Sequence, residues 1–125
     1  MSLEQFQKQG YLNIETFRKS GQGVKTPVWF TQDGDSLHIW TQADSGKAKR
    51  VRNNGTVNIA PSTGAGEPLG EWSPARAQTD DSPTAVQHVR NLMSRKYGVM
   101  FHIFGFVGML RMRGGSKYTA IKIQV

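Results

Sequence analysis

Thr41-Gln42-Ala43-Asp44-Ser45-Gly46-Lys47-Ala48-Lys49-Arg50-Val51-Arg52 reads as the end of a strand, a short loop and a short helix. Asp44 or Ser45 can cap that helix, because a side-chain oxygen there accepts from backbone N–H groups that have no partner in the first turn. Gly55, after Asn53-Asn54, is a natural stop, since glycine takes left-handed backbone angles at no steric cost. The helix start carries free N–H donors and the positive end of the peptide dipoles. Lys47 and Arg50 lie three residues apart, on neighbouring parts of one helix face. Ser45, Gly46, Lys47 and Arg50 together make a compact anion site suited to a phosphate. The same residues also describe a solvated basic helix face. What favours the site is its position between strands.

Working outward, Tyr11-Leu12-Asn13-Ile14-Glu15-Thr16-Phe17 has the β-branched and aromatic content of a first strand. Val24 to Thr31 reads as a second strand, with Pro27 marking an edge, a bulge or a ligand-lined spot because it has no N–H to donate. On that strand Val24, Thr26, Val28 and Phe30 face one way, and Pro27 and Trp29 the other. Asp33-Gly34 predicts a hairpin, and Leu37 to Thr41 the returning strand, with Thr41 adjoining the helix start. Thr56 to Ala60 predicts a fourth strand broken by Pro61, and Leu69 to Gln78 a fifth, with Pro74 a local irregularity. Asp80-Asp81-Ser82-Pro83 opens a helix that runs to about Tyr97, with Ala85, Val86, Val89, Leu92 and Met93 at helical spacing. Tyr118 to Val125 alternates and closes the sheet. Antiparallel strands joined by short hairpins, with two helices between them, predict a mainly β fold that curls into a barrel to remove its edges.

Composition sets bounds. The 125 residues predict a single domain spanning residues 1–125. At 37% the hydrophobic share is low for a globular domain, so a partner subunit is expected to complete the core. The chain has no cysteine, which excludes disulfides and thiolate metal sites. The segment 1–10 lacks the apolar centre of a secretory signal, and a cytoplasmic location is the expectation. A net charge of +7 and a pI near 10.1 suit an anionic ligand, nucleic acid or an acidic membrane surface. His38, His88 and His102 show no metal-ligand spacing, so no metal site is expected. No nucleophile elbow, paired carboxylates or dinucleotide fingerprint is present, so no catalytic residue is assigned; any chemistry belongs to a cofactor. The apolar run Val99 to Leu110, followed by Arg111 and Arg113, has three readings: a buried or dimer-contacting helix, a lid, or a peripheral membrane contact.

The residues already quoted carry a family resemblance. Thr26-Pro27-Val28-Trp29-Phe30, Asp33-Gly34-Asp35, Trp40-Thr41, Asp44-Ser45-Gly46-Lys47 with Lys49-Arg50 and Arg52-Asn53, and Val57-Asn58-Ile59-Ala60-Pro61 follow in order. Gly70-Glu71-Trp72, Ala75-Arg76-Ala77 and Arg95-Lys96-Tyr97-Gly98 extend the match over nearly the whole chain. This pattern resembles the pyridoxamine phosphate oxidase-like (PPOX class) flavin and deazaflavin oxidoreductases, and within them the F-420-dependent branch. The resemblance implies an FMN-binding split β-barrel working as a homodimer, with two cofactor sites between subunits. It implies that Ser45, Gly46, Lys47 and Arg50 hold the phosphate of F-420 or FMN, and that Pro27, Val28 and Trp29 back the ring. Thr41, Pro61 and Ser62 complete the implied site. It also implies hydride transfer to or from a small organic substrate. Two departures stand out: Ala60-Pro61-Ser62 where relatives often have Ala-Pro-Cys, and Asn54-Gly55 where they often have Asn-Pro.

A different class of function is also open. Trp29, Trp40 and Trp72, interleaved with basic residues, are what a small β-barrel that binds single-stranded nucleic acid would carry. A non-catalytic cofactor carrier is the other alternative. The clustering of cations on one short helix rather than along a groove speaks against nucleic acid.

Overall fold

The computed structural model describes residues 3–98 and 117–125. Side-chain alternation explains its inner and outer faces. In strand β1 (Tyr11–Phe17), Leu12, Ile14 and Thr16 share one face and are fully buried. Strands β2 (Gly23–Val28) and β5 (Thr56–Ser62) flank β1, both antiparallel, so that Val28 and Pro61 both oppose Leu12. Beyond β5 come β6 (Ser73–Asp80), β7 (Tyr118–Gln124), β4 (Ser36–Gln42) and β3 (Thr31–Asp33), each antiparallel to its neighbour. The order across the seven-stranded sheet is β2-β1-β5-β6-β7-β4-β3.

The two edges of this sheet, β2 and β3, are consecutive in the chain, with only Trp29 and Phe30 between them. Laid flat, seven strands would hold their outer members about 29 Å apart. Two linking residues reach at most about 11 Å. The sheet must therefore curl until its edges approach each other where Trp29 and Phe30 link them, and the inward residues become one core: Leu12, Ile14, Leu37, Ile39, Val57, Ile59, Ile121 and Ile123, with Ala75 and Ala77.

Both ends of the curl are plugged. A 3-10 turn at Glu4–Phe6 places Phe6 edge-on to Phe30, with ring centroids 6.1 Å apart. Helix α1 (Gly46–Asn53) crosses the other end and buries Ala48 and Val51. Helix α2 (Pro83–Tyr97) lies outside the barrel, where Val89 and Met93 pack on Ala120 and against Trp40. Ser82 caps α2 by accepting from the Ala85 N–H, and Pro83 sits in its first turn, as expected from sequence.

The end of α2 closes the seam between the edges. The Phe30 N–H donates to the Tyr97 hydroxyl at 3.0 Å, and that hydroxyl donates to the Gly10 carbonyl at 2.8 Å. Lys96 Nζ donates to the Phe30 carbonyl at 2.9 Å and stands 3.6 Å from the Phe30 ring centre. Trp29 stacks on Tyr97 at 4.4 Å, within 6° of parallel.

Four expectations are corrected here. The Val24–Thr31 strand is two pieces: it ends at Val28, pairs with β1, and resumes as the short β3 on the far edge. Trp29 and Phe30 have left the ladder to make the seam. Pro61 does not break β5, which continues to Ser62. Pro61 has no N–H to offer, but it lies beyond the Thr56–Ile59 stretch that pairs with β6, and its carbonyl accepts from the Leu69 N–H at 2.7 Å. The fifth strand starts at Ser73 rather than Leu69, because Leu69 is tied to that carbonyl and its side chain is 56% exposed. Val125, placed on the inner face by alternation, is exposed beyond the end of β7. The Val99–Leu110 run lies outside the described residues. Among the described residues no helix is long and apolar enough to cross a membrane.

Candidate functional site at the α1 end of the barrel

Ser45 is the helix cap, its side chain accepting from the Ala48 N–H at 3.3 Å. Gly46 follows, and a Cβ added there would stand 2.8 Å from Arg50 Nη1. The guanidinium thus lies close to the helix start, in space that a side chain at position 46 would have to share with it. Arg50 is held in that pose by Thr16, whose buried hydroxyl accepts from Arg50 Nε at 2.6 Å. Thr16 faces inward near the end of β1, so Arg50 reaches across the barrel end instead of outward into solvent.

Lys47 is half-buried. Burial, and secondarily the Arg50 guanidinium, lower its pKa. Arg50 is likewise lowered by burial and then by Arg18. Among the described residues no carboxylate pairs with Lys47 or Arg50. A desolvated cation beside other cations and without an acid partner is stabilised by an anion supplied from outside. The residues present therefore fit a phosphate: a capped helix start, an ammonium and a guanidinium.

Thr41 is buried on the inner face of β4, directly opposite Thr119 of β7, close to where the chain leaves for α1. Thr119 is fully buried and its hydroxyl has no hydrogen-bond partner among the described residues. The inner face is thus hydroxyl-rich at this end and hydrocarbon further in.

The remaining predicted residues are elsewhere. Pro27 opposes Asn13, and Thr16 opposes Val24, so Pro27 sits about 10 Å along the strand from the Arg50 anchor. Val28 packs against the core. Pro61 opposes Leu12, and Ser62 is buried with its hydroxyl donating to the Thr63 carbonyl at 2.8 Å. The loop after Ser62 folds back over this face: Asn13 Nδ2 donates to the Gly66 carbonyl at 2.9 Å, and Gly66 abuts the Pro27 ring. Trp29 stacks on Tyr97 and meets Tyr11 edge-on at 6.5 Å. The chain therefore assembles Ser45, Gly46, Lys47 and Arg50, with Thr41 nearby, and sets Pro27, Val28, Trp29, Pro61 and Ser62 toward the other end of the barrel.

Sequence reading missed Thr16, Arg18 and Tyr97. Thr16 lies 34 positions from Arg50, and no local pattern links them. The three tryptophans do not form a common stacking platform. Trp29 stacks on Tyr97, Trp40 stacks on Tyr118 at 3.8 Å, and Trp72 lies under Lys25 Nζ at 5.1 Å. Among the described residues no group of three His, Asp or Glu side chains could hold a metal ion.

No family model and no curated protein matches the chain. Solved structures do. HutZ, the heme storage protein of Vibrio cholerae, superposes with a TM-score of 0.68 at 16% identity, covering 97% of this chain and 84% of HutZ. A Listeria innocua protein named after pyridoxamine 5'-phosphate oxidase gives 0.65 at 12% identity, covering 97% and 87%. An F420 reductase gives 0.61 at 14% identity, covering 97% and 90%. The fold is that of the pyridoxamine oxidase-like split barrels, mainly β with two helices, and it is shared by oxidoreductases and by heme-binding proteins.

Proposed function

We propose that this split barrel is an oxidoreductase of the PPOX class, acting as a homodimer, with F-420 or FMN as cofactor and a small organic molecule as substrate. The observation that carries the proposal is Lys47: a half-buried cation with no acid partner among the described residues, beside a helix start over which Arg50 is anchored. When bound, the cofactor supplies the hydride chemistry. Ser45, Gly46, Lys47 and Arg50 hold its phosphate and fix its position. Thr41 contributes to the wall of the same end.

The ring-side residues Pro27, Trp29, Pro61 and Ser62 lie about three to five residues further along the strands than the Thr16 anchor. A long ligand, or the same residues offered by a second subunit, joins the two groups. A homodimer is for that reason part of the proposal. Neighbours of the same fold that bear names of heme proteins and of reductases make a non-catalytic carrier the second reading.

Titration of the purified protein with F-420 and with FMN, followed by fluorescence, tests the proposal. Saturable binding of one of them at micromolar concentration is expected. Absence of binding by both would refute it. Bound cofactor that no reductant or substrate can turn over would leave the carrier reading in its place.

A further inference from the structure

A second concave surface lies on the other side of α1. It is a cleft of about 430 Å³ between the C-terminal end of α1 and strands β6 and β7, and neither Lys47 nor Arg50 lines it. Its polar walls are Arg52, Arg76, Lys122, Gln78, Thr79 and Gln124, with Gly55 also in the lining. Arg52 is two positions after Arg50, about 200° round the helix, so the two arginines serve opposite flanks.

Three cations from three elements meet here. Arg76 opposes Gln124 and Gln78 opposes Lys122 on adjacent strands, which makes Arg76 and Lys122 diagonal neighbours on the outer face of the sheet. Arg76 Nη1 donates to Thr56 Oγ1 at 2.8 Å, which orients the guanidinium while leaving its other donors. Arg52 meets Asp81 only at 3.6 Å, with the arginine side chain 36% exposed. Lys122 has no acid within ion-pair distance among the described residues. Like charges placed together are unfavourable unless something offsets them.

We infer that the Arg52–Arg76–Lys122 cleft is a second anion site, separate from the α1 start, for a small molecule bearing two adjacent anionic groups such as a diphosphate. Two guanidinium forks and an ammonium match the oxygens of such a group, and the glutamine and threonine side chains supply neutral hydrogen bonds. The inference does not depend on the proposed redox function.

Calorimetric titration of the full-length protein with inorganic pyrophosphate tests it, against R76Q/K122Q, K122Q and K47A. Saturable binding is expected; the component that R76Q/K122Q weakens about tenfold or more should persist in K47A, which impairs only the phosphate site at the α1 start. If the double variant fails to fold, K122Q alone must still weaken binding several-fold. The inference is overturned by no saturable binding at millimolar pyrophosphate, by loss of all pyrophosphate binding in K47A with full retention in K122Q, or by salt-sensitive binding of a single-stranded oligonucleotide where pyrophosphate does not bind.

Discussion

The two halves of this barrel treat their polar groups in opposite ways. At the seam between β2 and β3, the protein satisfies itself. The Phe30 N–H and carbonyl are both bonded, by Tyr97 and Lys96, and Trp29 is stacked on Tyr97. At the α1 end, Lys47 and Arg50 are partly desolvated beside one another, with no carboxylate paired to either among the described residues. Aromatic content is thus a poor guide to a ligand in this chain. The tryptophan that a sequence reader would assign to a flat cofactor is engaged by a tyrosine of α2. Uncompensated charge is the better guide, because folding leaves it unbalanced only where something else balances it.

Disruption of the seam should have the largest effect. Phe30 is 1% exposed between Phe6 and Lys96. F30A should cost about 3–5 kcal/mol in denaturant unfolding, the range for a buried phenylalanine. A smaller loss, below about 1 kcal/mol, would mean that the seam is not part of the core. Y97F leaves the Phe30 N–H without its acceptor and should cost about 1–3 kcal/mol.

The same tyrosine gives a pH signature. Burial pushes its phenol from 10.0 up to about 12. The unfolded chain releases that proton near the ordinary value and the folded chain only at higher pH, so Tyr97 contributes stability below pH 10 that is lost between pH 10 and about 12. Comparing wild type with Y97F across that window should show a steeper decline in the wild type; parallel curves would contradict the assignment. At the other end, S45A should cost about 1 kcal/mol through loss of the cap at the Ala48 N–H, read as a fall in melting temperature. K49A, on the exposed flank of α1, should change stability by less than about 0.5 kcal/mol and leave cofactor affinity as it was.

Local chemistry made much of this legible. Strand Tyr11–Phe17 and helix Pro83–Tyr97 have the limits that alternation, the Ser82 cap and Pro83 predict. The Ser45 cap, and the meeting of Ser45, Gly46, Lys47 and Arg50, follow from helical spacing alone. What spacing cannot give is which strand lies beside which. The Asp33-Gly34 turn predicts that the Val24–Thr31 segment pairs with the strand after it. Only its last piece does so, because Leu12 and Ile14 of β1 claim the rest. That single change of partner carries Pro27 to one end of the barrel and leaves the anion site at the other. Thr16 was invisible for the same reason: its importance to Arg50 exists only once β1 lies under α1.

The central claim is that Lys47 awaits an anionic group of a flat redox cofactor. Affinity of F-420 or FMN for wild type and K47A, measured side by side with melting temperatures, addresses it most directly. The account predicts binding weakened by about 1.5–3 kcal/mol in K47A, roughly tenfold to more than a hundredfold, with the melting temperature nearly unchanged. Equal affinity in both proteins would contradict it and leave Lys47 an ordinary lysine at the end of a barrel.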